Sequence, residues 1–325
     1  MKRLCLILTL TAMVATPAFS QQSAPEIPFE SLPRPLKYSP DMNLGEILGI
    51  AVNSVGHIVI LNHPGSANQG PIWSNSTTQL LEFDQDGYYV GEIGKGVYGI
   101  AYAHQVRFDD EDNLWVVDKA ANTVIKFDPD GYVSMNLGRR EEGYHGDVEL
   151  PNQREARAVG GYFNGPTDVA WDPDGNIFVS DGYVNSRMVK FDMNGNFLMD
   201  WGSYGSDIGQ FNLPHTMQAD REGNIYVGDR SNRRIQVFDS DGNFLRVLLM
   251  NVPYPADYQP PYTAINPNRR LPDATQPWSM CITDSTPQEI WVSDNEPGRI
   301  YQMTLDGEIK GWLGSSGRGP GKFNW

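Results

Sequence analysis

A repeated alternation of short apolar runs and tight-turn residues constrains the fold of this chain more than any other feature. The repeat is clearest in residues 165–202. Its four apolar runs occupy residues 167–171, 176–180, 187–192 and 196–201. Asp174-Gly175 and Asn194-Gly195 supply the turns, because glycine and asparagine accept the positive φ that two-residue hairpin loops require. Four antiparallel strands in about forty residues are typical of one blade of a β-propeller.

The same unit recurs along the chain. Its second strand ends in an aspartate four times, at Asp118, Asp181, Asp229 and Asp294. A related run at 55–60 marks an earlier repeat, so five blades can be counted. The Phe-Asn motif that opens two of the blades begins again at Phe323. We therefore predict an all-β, six-bladed propeller over residues 44–325 with the sixth blade truncated at the C-terminal end, because a propeller that lacks its closing blade exposes two sheet edges.

The first 20 residues resemble a secretory signal peptide. Lys2-Arg3 precedes an apolar stretch at 4–14, and Ala18-Phe19-Ser20 supplies small residues for cleavage. The apolar stretch is too short to cross a bilayer, so no membrane span is predicted. An extended lead-in follows over residues 21–43. We expect a secreted or periplasmic protein whose mature chain keeps one cysteine, Cys281, and no intrachain disulfide.

The charge of the chain limits its partners. The formal net charge of the 325 residues is −15 at pH 7. Nucleic-acid binding needs a basic face, so the composition argues against a nucleic-acid partner. We expect a monomer that meets its substrate on the loops of the propeller.

Two histidines occupy the same register of alternate blades. His104 lies five residues before Asp109, and His215 lies five residues before Asp220. First strands of a propeller line the central channel, so both side chains are expected to point into it. A third histidine in blade six would complete a set of three imidazoles with an open position, which is typical of catalytic zinc. The alternative is that each histidine is a hydrogen-bonded polar side chain in a water-filled channel.

Two further residues follow the repeat aspartates at the channel end of their loops. Tyr183 comes after Asp181-Gly182, and Arg230 comes directly after Asp229, where blade two has Lys119. Beside a metal, a tyrosine and an arginine could serve as base and anion anchor. The aspartates and the later arginines of these loops are predicted to be structural.

A set of motifs gives the central blades a specific resemblance. These are Pro166-Thr167-Asp168-Val169-Ala170, Asp181-Gly182-Tyr183, Asn185-Ser186-Arg187, Gly209-Gln210-Phe211, Pro214-His215, Asp229-Arg230 and Arg234-Ile235-Gln236. Together they resemble peptidyl-α-hydroxyglycine α-amidating lyase, a six-bladed propeller of NHL-type repeats. That family cleaves the C–N bond of R–CO–NH–CH(OH)–COOH to an amide and glyoxylate.

The resemblance implies a site residue by residue. His104 and His215 match two zinc ligands, Tyr183 matches the catalytic base, and Arg230 matches an active-site arginine. The backbone carbonyls of Ile50 and Val106 match ligands of a structural calcium. The implied substrate is a peptide or small molecule with a C-terminal α-hydroxyglycine-like group.

The chain also departs from the pattern of these lyases, and two other functions stay open. An arginine of blade one is replaced in the run Leu61-Asn62-His63-Pro64-Gly65, with His63 as a partial substitute, and the cysteine after the tyrosine is Val184. One alternative is a non-catalytic extracytoplasmic NHL-repeat module that binds a peptide, a glycan or a partner protein. The other, a calcium-dependent lactonase-like hydrolase, ranks last because the inward positions carry histidine.

Overall fold

The computed structural model describes residues 22–64, 78–139, 160–254, 274–294, 296–317 and 319–323. The predicted signal peptide and most of the two longest inter-blade loops lie outside these residues. Over the described ranges the protein is all-β and consists of five four-stranded antiparallel sheets, each with its strands in chain order. No helix among the described residues is long and apolar enough to cross a membrane.

The strands of the first three blades are β1 (Glu46–Val52), β2 (Ile58–His63), β3 (Gln79–Phe83), β4 (Tyr89–Ile93), β5 (Ala103–Phe108), β6 (Leu114–Asp118), β7 (Thr123–Phe127), β8 (Val133–Gly138), β9 (Asp168–Trp171), β10 (Ile177–Asp181), β11 (Arg187–Phe191) and β12 (Phe197–Trp201). Those of blades four and five are β13 (Pro214–Ala219), β14 (Ile225–Asp229), β15 (Arg234–Phe238), β16 (Phe244–Leu248), β17 (Pro277–Ile282), β18 (Glu289–Asp294), β19 (Ile300–Thr304) and β20 (Ile309–Leu313). A short parallel pair follows, β21 (Ser315–Ser316) and β22 (Lys322–Phe323).

The blade count predicted from the sequence is met in part. The five repeats that can be counted in the sequence are the five sheets of the structure. A sixth four-stranded sheet is not found among the described residues, so the six-bladed count and the truncated sixth blade stay predictions.

Local hydrogen bonds explain why the turn motif recurs. Gly175 and Gly195 have φ of 79° and 81°, the left-handed conformation that glycine adopts at little cost. Asp172 Oδ1 accepts a hydrogen bond from the backbone N–H of Asn176 at 2.9 Å, which closes the turn between β9 and β10. Asp220 does the same for Asn224 at 2.8 Å in blade four. Each turn is therefore specified by five adjacent residues.

The aspartate that ends each second strand ties a blade to the segment that leads into it. Asp181 Oδ1 accepts from the N–H of Asn164, and Asp229 Oδ1 accepts from the N–H of Asn212, both at 2.8 Å. Arg234 Nε donates to the second oxygen of Asp229 at 2.8 Å. The predicted pairing of the later arginines with acidic neighbours is observed, between Arg187 Nε and Asp181 at 3.1 Å and between Arg233 Nη2 and Glu296 at 3.4 Å.

The hydrophobic core lies between adjacent blades. In the cluster between blades three and four, Phe178, Phe211 and Val227 are fully buried and Phe238 is nearly so. Burial of a side chain of this size contributes about 1.5 to 3 kcal/mol. Apolar faces on both sides of each sheet therefore stack the blades and bring their first strands, β1, β5, β9, β13 and β17, together around the centre.

One buried ion pair crosses between these first strands. Arg107 of β5 donates to both oxygens of Asp168 on β9, from Nε at 2.9 Å and from Nη2 at 2.6 Å. Its Nη2 also donates to the carbonyl of Met280 on β17 at 3.1 Å. Asp168 Oδ2 in turn accepts from Thr216 Oγ1 at 3.0 Å and from the N–H of Met217 at 2.9 Å, both on β13. A single pair therefore connects four of the five blades.

Candidate functional site

The two histidines singled out by repeat register meet at the centre of the propeller. His104 is the second residue of β5 and His215 the second residue of β13, and both side chains are buried. Their Nε2 atoms lie 3.2 Å apart. The structure therefore brings together two residues that are 111 positions apart in the chain.

A β-bulge directs each histidine away from its own sheet. The strand register shifts between Ala103 and Gln105 and again between Pro214 and Thr216, so each histidine is the extra residue of a bulge. A bulge bends the strand and re-aims the side chain at that point. The equivalent positions of blades one and five, Leu48 and Trp278, also lie within register shifts. The position that the sequence marks by its distance from the following turn is thus a structural feature of the repeat.

Backbone carbonyls determine which nitrogen of each ring carries the proton. His104 Nδ1 lies 2.8 Å from the carbonyl oxygen of Thr167, and His215 Nδ1 lies 2.7 Å from that of Trp278. A carbonyl oxygen only accepts, so each Nδ1 must donate its proton. In the neutral rings both Nε2 atoms then present lone pairs to one another. Metal-binding histidines are usually oriented in this way, by a hydrogen bond from the ring nitrogen that does not bind the metal.

Tyr183 completes the convergence. Its hydroxyl oxygen lies 3.2 Å from His104 Nε2 and 3.4 Å from His215 Nε2. The backbone N–H of Tyr183 donates to the carbonyl of Gly165 at 3.0 Å, which fixes the loop after β10. A side chain at Gly182 would collide with the carbonyl oxygen of Pro214, so the close approach of blades three and four requires glycine there.

Arg230 is held against Trp278 of blade five. Its guanidinium carbon is 3.6 Å from the ring centroid of Trp278, the same residue whose carbonyl orients His215. The Trp278 ring is also 5.0 Å from the His215 ring. Trp278, which occupies the blade-five position of the histidine register, therefore positions both a candidate metal ligand and the candidate anion anchor.

Three side chains near the histidines were not predicted to be site residues: Lys119, Tyr102 and Glu46. Lys119 Nζ lies 4.7 Å from the ring centroid of Tyr102 and 4.8 Å from that of Tyr183. Tyr102 donates its hydroxyl to Glu46 Oε2 at 3.1 Å. The sequence signal for Lys119 was its place after Asp118, equivalent to Arg230 after Asp229. Glu46 and Tyr102 carry no repeat signal.

Burial and positive charge keep both imidazoles neutral. Burial, followed by the charge of Lys119, lowers the pKa of His104 to about 3. Burial and the neighbouring His104 lower the pKa of His215 well below its usual value. Burial also raises the pKa of the Tyr183 phenol, while Arg230 acts in the opposite direction. Burial lowers the pKa of Lys119 to about 8. At neutral pH both histidine Nε2 atoms are therefore unprotonated, and each has a lone pair available to bind a cation.

The donor set fits zinc. Two nitrogens that each lie about 2.0 to 2.1 Å from one tetrahedral zinc are separated by about 3.3 Å, close to the distance observed here. Neutral imidazole Nε2 atoms whose Nδ1–H groups are held by carbonyls are the appropriate ligands. Two lone pairs in contact are also unfavourable unless a proton or a cation lies between them. Among the described residues no cluster of three or more His, Cys, Asp or Glu side chains is found, so the predicted third histidine is not among them.

The predicted calcium ligands receive less support. Ile50 on β1 and Val106 on β5 hold equivalent positions, each two residues after its bulge position. Calcium takes about six to eight oxygen ligands, and these two residues would supply two carbonyls. Asp168, the carboxylate on the next first strand, is already bound by Arg107 and Thr216. Within the described residues the set is too small to hold calcium, and the calcium site stays a prediction.

Comparison with known proteins agrees with the repeat and with the motifs. Residues 163–191 and 211–238 match the sequence profile of the NHL repeat. The chain is 29% identical over 220 residues to a probable peptidyl-alpha-hydroxyglycine alpha-amidating lyase of Caenorhabditis elegans, covering 62% of this chain and 58% of that protein. It is 32% identical over 232 residues to peptidyl-glycine alpha-amidating monooxygenase A of Xenopus laevis, covering 64% of this chain and 23% of the frog protein. The chain thus spans less than two thirds of either relative.

A solved structure shows the same fold. A streptogramin B lyase superimposes with a TM-score of 0.52 at 14% identity, covering 83% of this chain and 69% of that one. At this identity the likeness concerns the architecture alone. The resemblance predicted from the motifs is confirmed by the sequence comparisons: the protein is a propeller with NHL repeats, similar in sequence to the peptidyl-α-hydroxyglycine α-amidating lyases.

Proposed function

We propose that the protein is a zinc-dependent carbon–nitrogen lyase that cleaves an α-hydroxyglycine-type carbinolamide to an amide and glyoxylate. The observation that carries the proposal is the convergence of His104 Nε2, His215 Nε2 and the Tyr183 hydroxyl, whose mutual distances are 3.2 to 3.4 Å. The overall sequence similarity to amidating lyases supports it. The proposed substrate is a peptide or a small molecule that ends in this carbinolamide.

The bond changes of this reaction require one proton to move. In R–CO–NH–CH(OH)–COO⁻ the hydroxyl loses its proton, and an oxygen lone pair forms the C=O bond of glyoxylate. The electrons of the C–N bond pass to nitrogen, which takes up a proton and leaves as the primary amide. A single group that accepts the hydroxyl proton and returns it to nitrogen satisfies the balance.

We assign the movement of that proton to Tyr183. His104 and His215 would hold zinc through their Nε2 atoms, and bound zinc would supply positive charge that polarises the substrate hydroxyl. Burial raises the pKa of Tyr183, so its phenolate forms only in a field of positive charge. Arg230 supplies part of that field. The Tyr183 phenolate then accepts the hydroxyl proton, and the resulting phenol donates it to the leaving nitrogen.

The test combines metal content with turnover. The purified chain is loaded with zinc, dialysed, and assayed for bound metal and for glyoxylate release from α-hydroxyhippurate. We expect His215→Ala to lose tight zinc and glyoxylate release together. Tyr183→Phe should keep the metal and lower kcat about 10²- to 10⁴-fold, the usual contribution of a general base. His57→Ala is the matched control, since His57 pairs with Glu82 at 2.8 Å within blade one and lies outside the site.

The alternative function predicts the opposite results for metal binding and for Tyr183→Phe. A non-catalytic binding module needs no tight metal at the histidine pair and is indifferent to Tyr183→Phe. Zinc-loaded protein that releases no glyoxylate would refute the lyase assignment.

A further inference from the structure

Two cationic side chains occupy the same repeat position in the two blades that supply the histidines. Lys119 follows Asp118 at the end of β6, and Arg230 follows Asp229 at the end of β14. Blade three lies between these blades and supplies Tyr183. The order around the centre is therefore cation, tyrosine, cation. The propeller repeat, rather than chance, determines this spacing.

The ammonium group of Lys119 is held beside the reacting atoms. It lies 4.8 Å from the ring centroid of Tyr183, whose hydroxyl contacts both histidines. The Tyr102 ring lies at 4.7 Å, so two aromatic rings position the cation. Lys119, Tyr183 and Arg230 are each partly exposed, so a ligand can reach them.

The two cations act on the same small region. Lys119 and Arg230 each lower the pKa of both His104 and His215, and Arg230 lowers that of Lys119. Two like charges held within each other's field are unfavourable unless an anion lies near them. Two carboxylates also act on Lys119, those of Glu46 on β1 and of Asp118. The Asp118 carboxylate accepts from four backbone N–H groups and the Glu46 carboxylate accepts from the Tyr102 hydroxyl, so both carboxylates are engaged by other donors.

The described residues of blade one contribute no lysine or arginine to this region. Its second strand ends at His63, whose Nε2 lies 3.0 Å from the carbonyl oxygen of Ala103. Burial is the main cause that lowers the pKa of His63, so the ring is neutral at pH 7. The His63 ring stacks on Tyr102 with centroids 4.1 Å apart, and Lys119 contacts the same tyrosine. His63 and Lys119 therefore contact the same tyrosine, and Lys119 is the charged one of the two.

We infer that Lys119 is a substrate-binding residue that, together with Arg230, binds the carboxylate of the proposed carbinolamide substrate. This inference rests on the proposed function, because it assigns the group on the substrate that the two cations recognise. Lys119 is then a specificity determinant: it selects a free carboxylate over a neutral amide or ester at the same place.

The experiment measures binding separately from turnover. Dissociation constants of hippurate and of its neutral analogue hippuramide are determined by calorimetry on the zinc-loaded protein. We expect the wild type to prefer hippurate by about 10- to 100-fold, the range for a charge-assisted hydrogen bond. Lys119→Met should abolish most of this preference, and Lys119→Arg should restore it to within a few-fold. Lys126→Met is the matched control, because Lys126 also lies over a ring, Trp115, at 5.4 Å.

Kinetics separates this inference from the lyase assignment. In an active enzyme, Lys119→Met should raise KM for α-hydroxyhippurate about 10- to 100-fold with a much smaller change in kcat. An active enzyme whose KM and hippurate preference are unchanged by Lys119→Met would overturn the inference and leave the lyase assignment standing. An inactive protein that still loses hippurate binding on Lys119→Met would support the carboxylate site and refute the lyase. A wild type that does not distinguish hippurate from hippuramide also overturns the inference.

Discussion

Replacing Arg107 by methionine is expected to destabilise the propeller by about 3 kcal/mol, because the change leaves a buried carboxylate without its cation. The Asp168 side chain is fully buried and that of Arg107 is 14% exposed. Removing one partner of such a pair usually costs about 3 to 5 kcal/mol. The cost should lie at the lower end here, since Asp168 keeps hydrogen bonds from Thr216 and from the backbone of Val169 and Met217.

Replacing the other partner of the pair, Asp168, should lower the free energy of unfolding by more. Asp168→Asn removes the charge, so among the hydrogen bonds described for it the guanidinium keeps one amide oxygen and the Met280 carbonyl as acceptors and no carboxylate. The new amide group also presents N–H donors where the carboxylate accepted from Thr216 and Met217. We expect about 4 to 5 kcal/mol. The double variant should cost clearly less than the sum of the two, because each residue's penalty arises from the other.

Chemical and thermal unfolding would measure these effects. Arg107→Met should lower Tm by roughly 5 °C, because an unfolding entropy of about 2.1 cal/mol/K per residue gives about 1.6 °C per kcal/mol for a chain of roughly 300 residues. Lys310→Met is the control, since Lys310 and Glu289 form an ion pair on the outside of blade five, with the lysine side chain 43% exposed. An exposed pair contributes about 0 to 1 kcal/mol. If Arg107→Met shifts the unfolding midpoint no more than Lys310→Met does, the pair does not tie the blades together and the reasoning is refuted.

Two further predictions concern the site. Burial and Lys119 lower the pKa of His104 to about 3 from its ordinary 6.5, so between these values the unfolded chain binds one more proton than the folded chain. Stability contributed by neutral His104 is therefore present above pH 6.5 and is lost as the pH falls below it, at about 1.4 kcal/mol per pH unit. In metal-free protein, His104→Gln should reduce the measured slope between about pH 6 and pH 4 by this amount while His215 still contributes its own, and a slope that is unchanged contradicts the assignment. Gly182→Ala should destabilise the protein by about 1 to 3 kcal/mol and lower kcat, because the added methyl group meets the Pro214 carbonyl and displaces the adjacent Tyr183. Gly91→Ala, where an added Cβ has no neighbour within 4 Å, should affect neither quantity, and equal effects of the two substitutions would count against the close approach.

Much of the fold could be read from local patterns. The turn aspartates and glycines act on residues two to four positions away, as Asp172 does on Asn176. Their spacing therefore repeats in the sequence wherever the blade repeats. The histidine positions could be predicted for the same reason, because the bulges at His104 and His215 lie at a constant distance from the following turn. Tyr183 and Arg230 could be named from motif resemblance, but their distances to the histidines could not.

The sequence by itself determined the blade, its turns and the register that points two histidines to the centre, because each depends on residues close together in the chain. Tertiary structure decided the rest. The carbonyls that orient His104 and His215 each come from a residue 63 positions away, and Arg107 meets Asp168 across 61 positions. The charges of Lys119 and Arg230 act on the same two histidines because blades two and four converge on one axis. Such contacts depend on how the sheets stack, which is a property of the assembled core and not of any one repeat.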